Sequence, residues 1–213
     1  MYNRFDRFAR DSWTLMETND MADDKAPVPA LIDKITGGSD DERTKAWFNA
    51  GKAGASAVKP LAGVISTHRG EAALAAKRAL WQIARYAARP GADDDRKSVV
   101  AAVAALLSDE AQSVAARREA LWILSEIGDD AVVEPVANLL EDEALREDAR
   151  MTLERIPGDT SLAALKAAFD AVPDAFKPNI AQSLRQRGAE VPGVPCVKLV
   201  PKRETAVQPK TEG

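Results

Sequence analysis

Side chains able to do chemistry are few and widely spaced in this 213-residue chain. One histidine, His68, lies in the run STHRGE, and one cysteine, Cys196, lies in PGVPCVKLVP. A thiol nucleophile needs a base within hydrogen-bond reach, and the sole histidine is far away in sequence. A single cysteine excludes an intramolecular disulfide and a multi-cysteine zinc site, and a single histidine excludes a multi-histidine metal centre. Asp93-Asp94-Asp95 is an acidic run that would hold a divalent cation only loosely; it reads as solvated loop. No P-loop, dinucleotide fingerprint or paired catalytic motif is present. The expectation is a chain with no catalytic residues, no cofactor and no metal.

Two recurring sets are more suggestive. Arg43, Arg117 and Arg146 could hold phosphate, and Trp47, Trp81 and Trp122 could stack on bases. Both sets sit in register with apolar residues, so a role in packing is expected for each, the arginines pairing with carboxylates in neighbouring turns.

The elements that must position these residues are clearest in Ala115–Asp142. Ala120, Leu121, Ile123, Leu124 and Ile127 recur with a 3.6-residue period and place an apolar stripe along a helix. Trp122 falls off the stripe's centre and is expected against a neighbouring layer. Gly128 is expected to end the helix in the left-handed conformation, and Asp129-Asp130 to cap the next. Pro135 sits early in that second helix, where a missing N–H costs little. Val133, Val136, Leu139 and Leu140 form its stripe. Such a pair cannot bury both stripes alone and needs similar pairs beside it.

Weaker copies flank it. Residues 28–36 read as a second helix with no first. Residues 42–54 and 55–66 form a pair in which Pro60 takes the place of Pro135. Glu71–Ala88 and Ser98–Asp109 form another, joined by a loop from Arg89 to Asp95, and two further helices follow Leu145 before a last one near Phe176–Gly188. Alignment puts Ala46, Ala79, Ala120 and Ala149 in one column at offsets of 33, 41 and 29 residues. Three residues earlier stand Arg43, Ala76, Arg117 and Arg146, with Lys177 before Ile180 in the last helix. With acids such as Asp41, Asp129 and Asp159 in the turns, these cations are expected to form an ion-pair ladder.

These residues resemble the HEAT-like repeat family, in the short bacterial form also seen in phycobilin lyases. The match is best over Arg117–Leu140, with its arginine, alanine-leucine run, Ile-Gly-Asp turn and Val-x-x-Leu-Leu second helix. Arg146–Phe169 is a fair match, with Pro157 inserted. Arg43–Ile65 has Gly51 and Lys52 where leucine and glutamate are usual, and Glu71–Leu107 departs most. The resemblance implies an all-α fold, an α-solenoid of stacked antiparallel helix pairs, over about residues 27–188. Residues 1–26 then form an N-terminal extension or capping helix, and residues 189–213, with four prolines, an extended tail.

The resemblance implies a non-catalytic interaction or scaffold protein that binds another protein, in a larger assembly, through the concave face, the termini or both. In such arrays the second helices line that face. Outward positions that differ between repeats are Lys59, Glu134, Asn138, Glu141, Lys166 and Asp170, and these are the candidate partner contacts. Phe5, Phe8 and Trp13 join them if the N-terminal segment is an aromatic anchor; the other reading makes it a cap, and Met21 is an alternative start. Other readings are an enzyme or chaperone related to phycobilin lyases, with a tetrapyrrole pocket, and a HEAT-like nucleic-acid-processing protein. A net charge of −4 and an acidic C-terminal half speak against nucleic acid. With no apolar run long enough for a membrane span and no apolar leader, a cytoplasmic protein is expected and membrane insertion is not.

Overall fold

The computed structural model describes residues 27–194. They form ten α-helices, and no strand occurs among the described residues. In chain order these are α1 (Val28–Gly37), α2 (Asp40–Phe48), α3 (Val58–Thr67), α4 (Gly70–Ala87), α5 (Asp93–Ala105), α6 (Val114–Ile127), α7 (Val133–Ala137), α8 (Arg146–Arg155), α9 (Asp159–Ala171) and α10 (Lys177–Gln186). Tight 3₁₀ turns at Ala50–Ala53, Ala55–Ala57, Asp130–Val132 and Asn138–Glu141 complete the connections.

Local chemistry explains the boundaries. Ser39 caps α2 in a reciprocal box, its hydroxyl receiving the Glu42 N–H while the Glu42 carboxylate accepts from the Ser39 backbone. Ser113 caps α6 through the Ala116 N–H. Asp93, Asp94 and Asp95, expected in a loop, are instead the first turn of α5, where negative charge complements the helix N-terminus. The preceding bend is tied down by Arg89, which donates to Tyr86 O at 2.8 Å and to Asp95 Oδ2 at 2.7 Å. Gly128 is not left-handed as expected: its φ is −69°. It is required by space, since a Cβ there would lie 2.4 Å from Leu124 O and 3.0 Å from Val132 Cγ2. The helix containing Pro135 is also shorter than its apolar stripe suggests, passing into a 3₁₀ turn at Asn138.

The apolar stripes named from sequence are the core. Ala120, Leu121, Ile123, Leu124 and Ile127 of α6 are buried, as are Val133, Val136, Leu139 and Leu140. One apolar cluster runs from Leu31 to Leu184. The even-numbered helices pack in succession, α2 on α4, α4 on α6, α6 on α8 and α8 on α10. Among the odd-numbered helices α1 packs on α3, α3 on α5 and α7 on α9, while α5 meets the turn at 130–132 that opens α7. The sets also join crosswise, α1 to α2, α3 to α4, α5 to α6, α7 to α8 and α9 to α10. Gly51, which departs from the repeat pattern, lets Tyr86 of α4 approach: a Cβ at residue 51 would be 2.9 Å from Tyr86 Cβ.

Candidate functional site

The arginine column proves structural, by a different contact from the one expected. Arg43 Nε donates to Ile35 O at 3.0 Å and its Nη2 to Gly38 O at 2.8 Å. Arg117 Nε donates to Leu107 O at 2.9 Å, and Arg146 Nη2 approaches Glu141 O at 3.5 Å. Each guanidinium thus reaches carbonyl groups at the end of the preceding odd-numbered segment, which lack partners within their own helix. Turn carboxylates add to this without forming a continuous ladder: Arg43 Nη1 pairs with Asp40 Oδ1 at 2.7 Å and Arg117 stands 3.8 Å from Asp142, while Asp129 caps its own turn through the Ala131 N–H. Two arginines outside the column do the same for even-numbered helices. Arg96 Nε donates to Ile127 O at 3.0 Å at the end of α6. Arg187 donates to Leu153, Ile156 and Gly158 carbonyls and to the Ser161 hydroxyl at the end of α8.

The tryptophans take part in a second pattern. Trp81 Nε1 donates to Glu119 Oε1 at 2.7 Å, and Lys77 Nζ lies 3.0 Å from Glu119 Oε2. One helix on, Trp122 Nε1 donates to Asp148 Oδ1 at 2.7 Å and Arg118 Nε to Asp148 Oδ2 at 2.7 Å. In both cases a cation and an indole four residues apart bracket a carboxylate on the next even-numbered helix. That acceptor stands one residue before the aligned alanine. The same column holds Arg78, whose guanidinium sits 5.3 Å from the Trp47 ring centre, and Asn179, which donates to Glu147 Oε2 at 3.0 Å. All four junctions between even-numbered helices therefore use a polar residue of this column, in three kinds of pairing. The column was present in the sequence alignment but varies in residue type, so inspection of repeated identities passed over it.

At the last junction Glu147, Arg150, Glu154, Asn179 and Ser183 form a network. The Arg150 hydrogen bond, helped by Asn179, holds the Glu147 carboxyl below its ordinary pKa. Burial opposes the charge of Arg150, yet Glu147 and Glu154 outweigh it and raise its pKa.

The candidate partner contacts on the odd-numbered helices are exposed. Glu134 and Asn138 lie on α7 and the turn after it, Glu141 ends that turn, and Lys166 and Asp170 lie on α9, which packs on α7. Lys59 stands apart on α3, its ammonium 3.1 Å from Asp109 Oδ2. That contact, with the Ala111 N–H and the Gln112 amide, lowers the Asp109 pKa. Phe5, Phe8, Trp13 and Cys196 lie outside the described residues. His68 is exposed at the end of α3, its Nδ1 2.9 Å from the Thr67 hydroxyl.

Among the described residues no three His, Cys, Asp or Glu side chains gather as a metal site, Asp93–Asp95 included. No helix among them is long and apolar enough to cross a membrane. What the surface does offer is apolar area: Phe48, Leu74, Val114 and Trp122 are 50%, 40%, 42% and 46% exposed, and all four lie on α2, α4 and α6. No protein-family model and no curated protein matches this chain.

Proposed function

We propose that this chain is a non-catalytic interaction or scaffold protein, a HEAT-like solenoid that presents its exposed faces to another protein in a larger assembly. The alternating packing of odd- and even-numbered helices is the arrangement such a stack requires. The observation that supports the functional reading most directly is where the reactive-looking side chains are used. The arginine column is bound to helix ends, the Trp81 and Trp122 indoles to carboxylates and the Trp47 ring to a guanidinium, so both sets are engaged in joining one helix pair to the next. The residues that differ between pairs, Glu134, Asn138, Glu141, Lys166 and Asp170, are left at the surface.

The experiment is an affinity isolation of the full chain from its native cells, with cross-linking to map contacts. A stable stoichiometric partner is expected. The pair Glu134→Lys and Glu141→Lys should weaken its retention without lowering the melting temperature by more than a few degrees, as surface substitutions usually do. Failure to retain a partner, with behaviour unchanged when either terminal segment is removed, would falsify this reading.

A further inference from the structure

We propose that the face formed by α2, α4 and α6 docks an acidic peptide segment carrying an apolar side chain, with Arg78 and Arg85 as the carboxylate-binding residues. This rests on the reading of the chain as an interaction protein, and it adds a contact on the even-numbered helices to those proposed for the odd-numbered ones.

Two features of α4 carry it. Leu74, Arg78, Trp81 and Arg85 follow one another at helical spacing on one side of the helix, and three of the four are exposed, with Trp81 half-buried. The Arg78 guanidinium lies over the Trp47 ring at 5.3 Å and that of Arg85 over the Trp81 ring at 5.8 Å. Neither has a carboxylate of the described residues within ion-pair distance, whereas Arg118 and Arg150 on the neighbouring even-numbered helices do. A guanidinium lying against an indole is held in orientation while its outward N–H groups stay available, so a bidentate carboxylate contact would cost it little further ordering.

The surroundings define the rest of the ligand. Phe48, Leu74, Val114 and Trp122 supply exposed apolar surface on the three adjoining helices, and exposed aromatic residues beside arginines are the composition enriched at interfaces. Arg78 and Arg85 are two helical turns apart, about 10 Å along the axis. A peptide in the extended polyproline II conformation rises about 9 Å over the three residues that return its side chains to the same face. The fitting motif is therefore an extended peptide with two acids three positions apart and an aliphatic or aromatic residue between or beside them. Single-stranded nucleic acid fits less well. Arg78 and Arg85 are two cations set two helical turns apart, whereas clustered cations are what a run of phosphates needs. Arg78 and Arg85 also already cover one face each of Trp47 and Trp81, where bases would stack.

The test is selection of a random twelve-residue peptide library on the full chain, with binding of the enriched peptides measured by fluorescence anisotropy. The expected result is enrichment of acid-x-x-acid sequences with an apolar residue, and a loss of affinity of at least about tenfold in the Arg78→Glu/Arg85→Glu variant. Should that variant misfold, Arg78→Ala/Arg85→Ala reads the same loss. Enriched peptides without acidic bias, or bound equally by wild type and variant, overturn the proposal while leaving the broader interaction role standing. A labelled oligothymidylate binding more tightly than the peptides overturns it in favour of nucleic acid. So would a dimer that the variant dissociates, or selection that succeeds only after residues 1–26 are removed; these assign the face to a second copy or to the chain's own N-terminal segment.

Discussion

Glu119 is a charged side chain only 9% exposed, and both of its oxygens are occupied by donors from α4. Replacing it with alanine leaves the Trp81 N–H and the Lys77 ammonium facing a vacated, partly dry site. Glu119→Ala should cost about 1–3 kcal/mol, measured by urea denaturation. Glu119→Gln, which can still accept from Trp81, should cost less; an equal cost would mean the indole bond contributes nothing. Glycines offer a paired test at the same scale. Gly128→Ala must push a Cβ against Leu124 O and should destabilise by about 1–3 kcal/mol. Gly63→Ala, inside α3 with nothing within 4 Å of the new Cβ, should stabilise by up to about 1 kcal/mol in the same measurement. The Gly128 outcome could not be read from the sequence, where that residue looks like an ordinary left-handed cap.

Helix by helix, the last junction is the most polar one. α10 is held to α8 by Arg187 and by the Glu147–Arg150–Asn179 and Glu154–Ser183 contacts as well as by apolar residues such as Ile180 and Leu184. Arg187→Ala removes donors from several carbonyls at once, and amide hydrogen exchange in α10 should quicken by more than about tenfold while α4 and α6 change little. Arg187→Lys should rescue poorly, because an ammonium cannot span the same fork of acceptors. The junction should also respond to acid. The Glu147 carboxyl titrates lower folded than unfolded, so its contribution is complete above the ordinary glutamate pKa and is lost as pH falls through the lower folded value. Exchange protection of α10 should therefore drop below about pH 4.5, and Glu147→Gln should flatten that drop. A profile unchanged by Glu147→Gln would show that other carboxylates govern it.

Across the whole molecule, helix positions and the apolar stripes were legible because burial writes a 3.6-residue period into the sequence. Ala46, Ala79, Ala120 and Ala149 do fall on packed helices, as their alignment implied. The contacts between helix pairs were not legible, for two physical reasons. Backbone carbonyls are the partners of Arg43, Arg117 and Arg187, and a carbonyl leaves no mark in the amino-acid sequence. The column Lys45, Arg78, Glu119, Asp148, Asn179 keeps its place but not its charge, so it makes sense only once each residue is set beside the helix before it. Asp93 misled in the opposite direction, since an acidic run reads as loop while a helix N-terminus favours it. If the chain is the stack proposed, stability is local, and native-state hydrogen exchange should show α10 opening at lower free energy than α4 and α6. Uniform protection across all helices would contradict that picture.

The changing column between even-numbered helices has a consequence for how such a chain can be rearranged. Arg78 offers a cation to an aromatic ring, Glu119 and Asp148 offer an anion to a cation and an indole, and Asn179 offers an amide to an anion. Apolar stripes alone would let helix pairs trade places, since one greasy surface accepts another. Here a transposed pair would bring Arg78 against Lys77- or Arg118-type neighbours, or Asp148 against Glu147-type ones. Order along the chain is thus enforced by mismatch at the first and last of these junctions, while those at Glu119 and Asp148 are interchangeable. Duplicating or grafting a segment should succeed only when its donors and acceptors are carried over together.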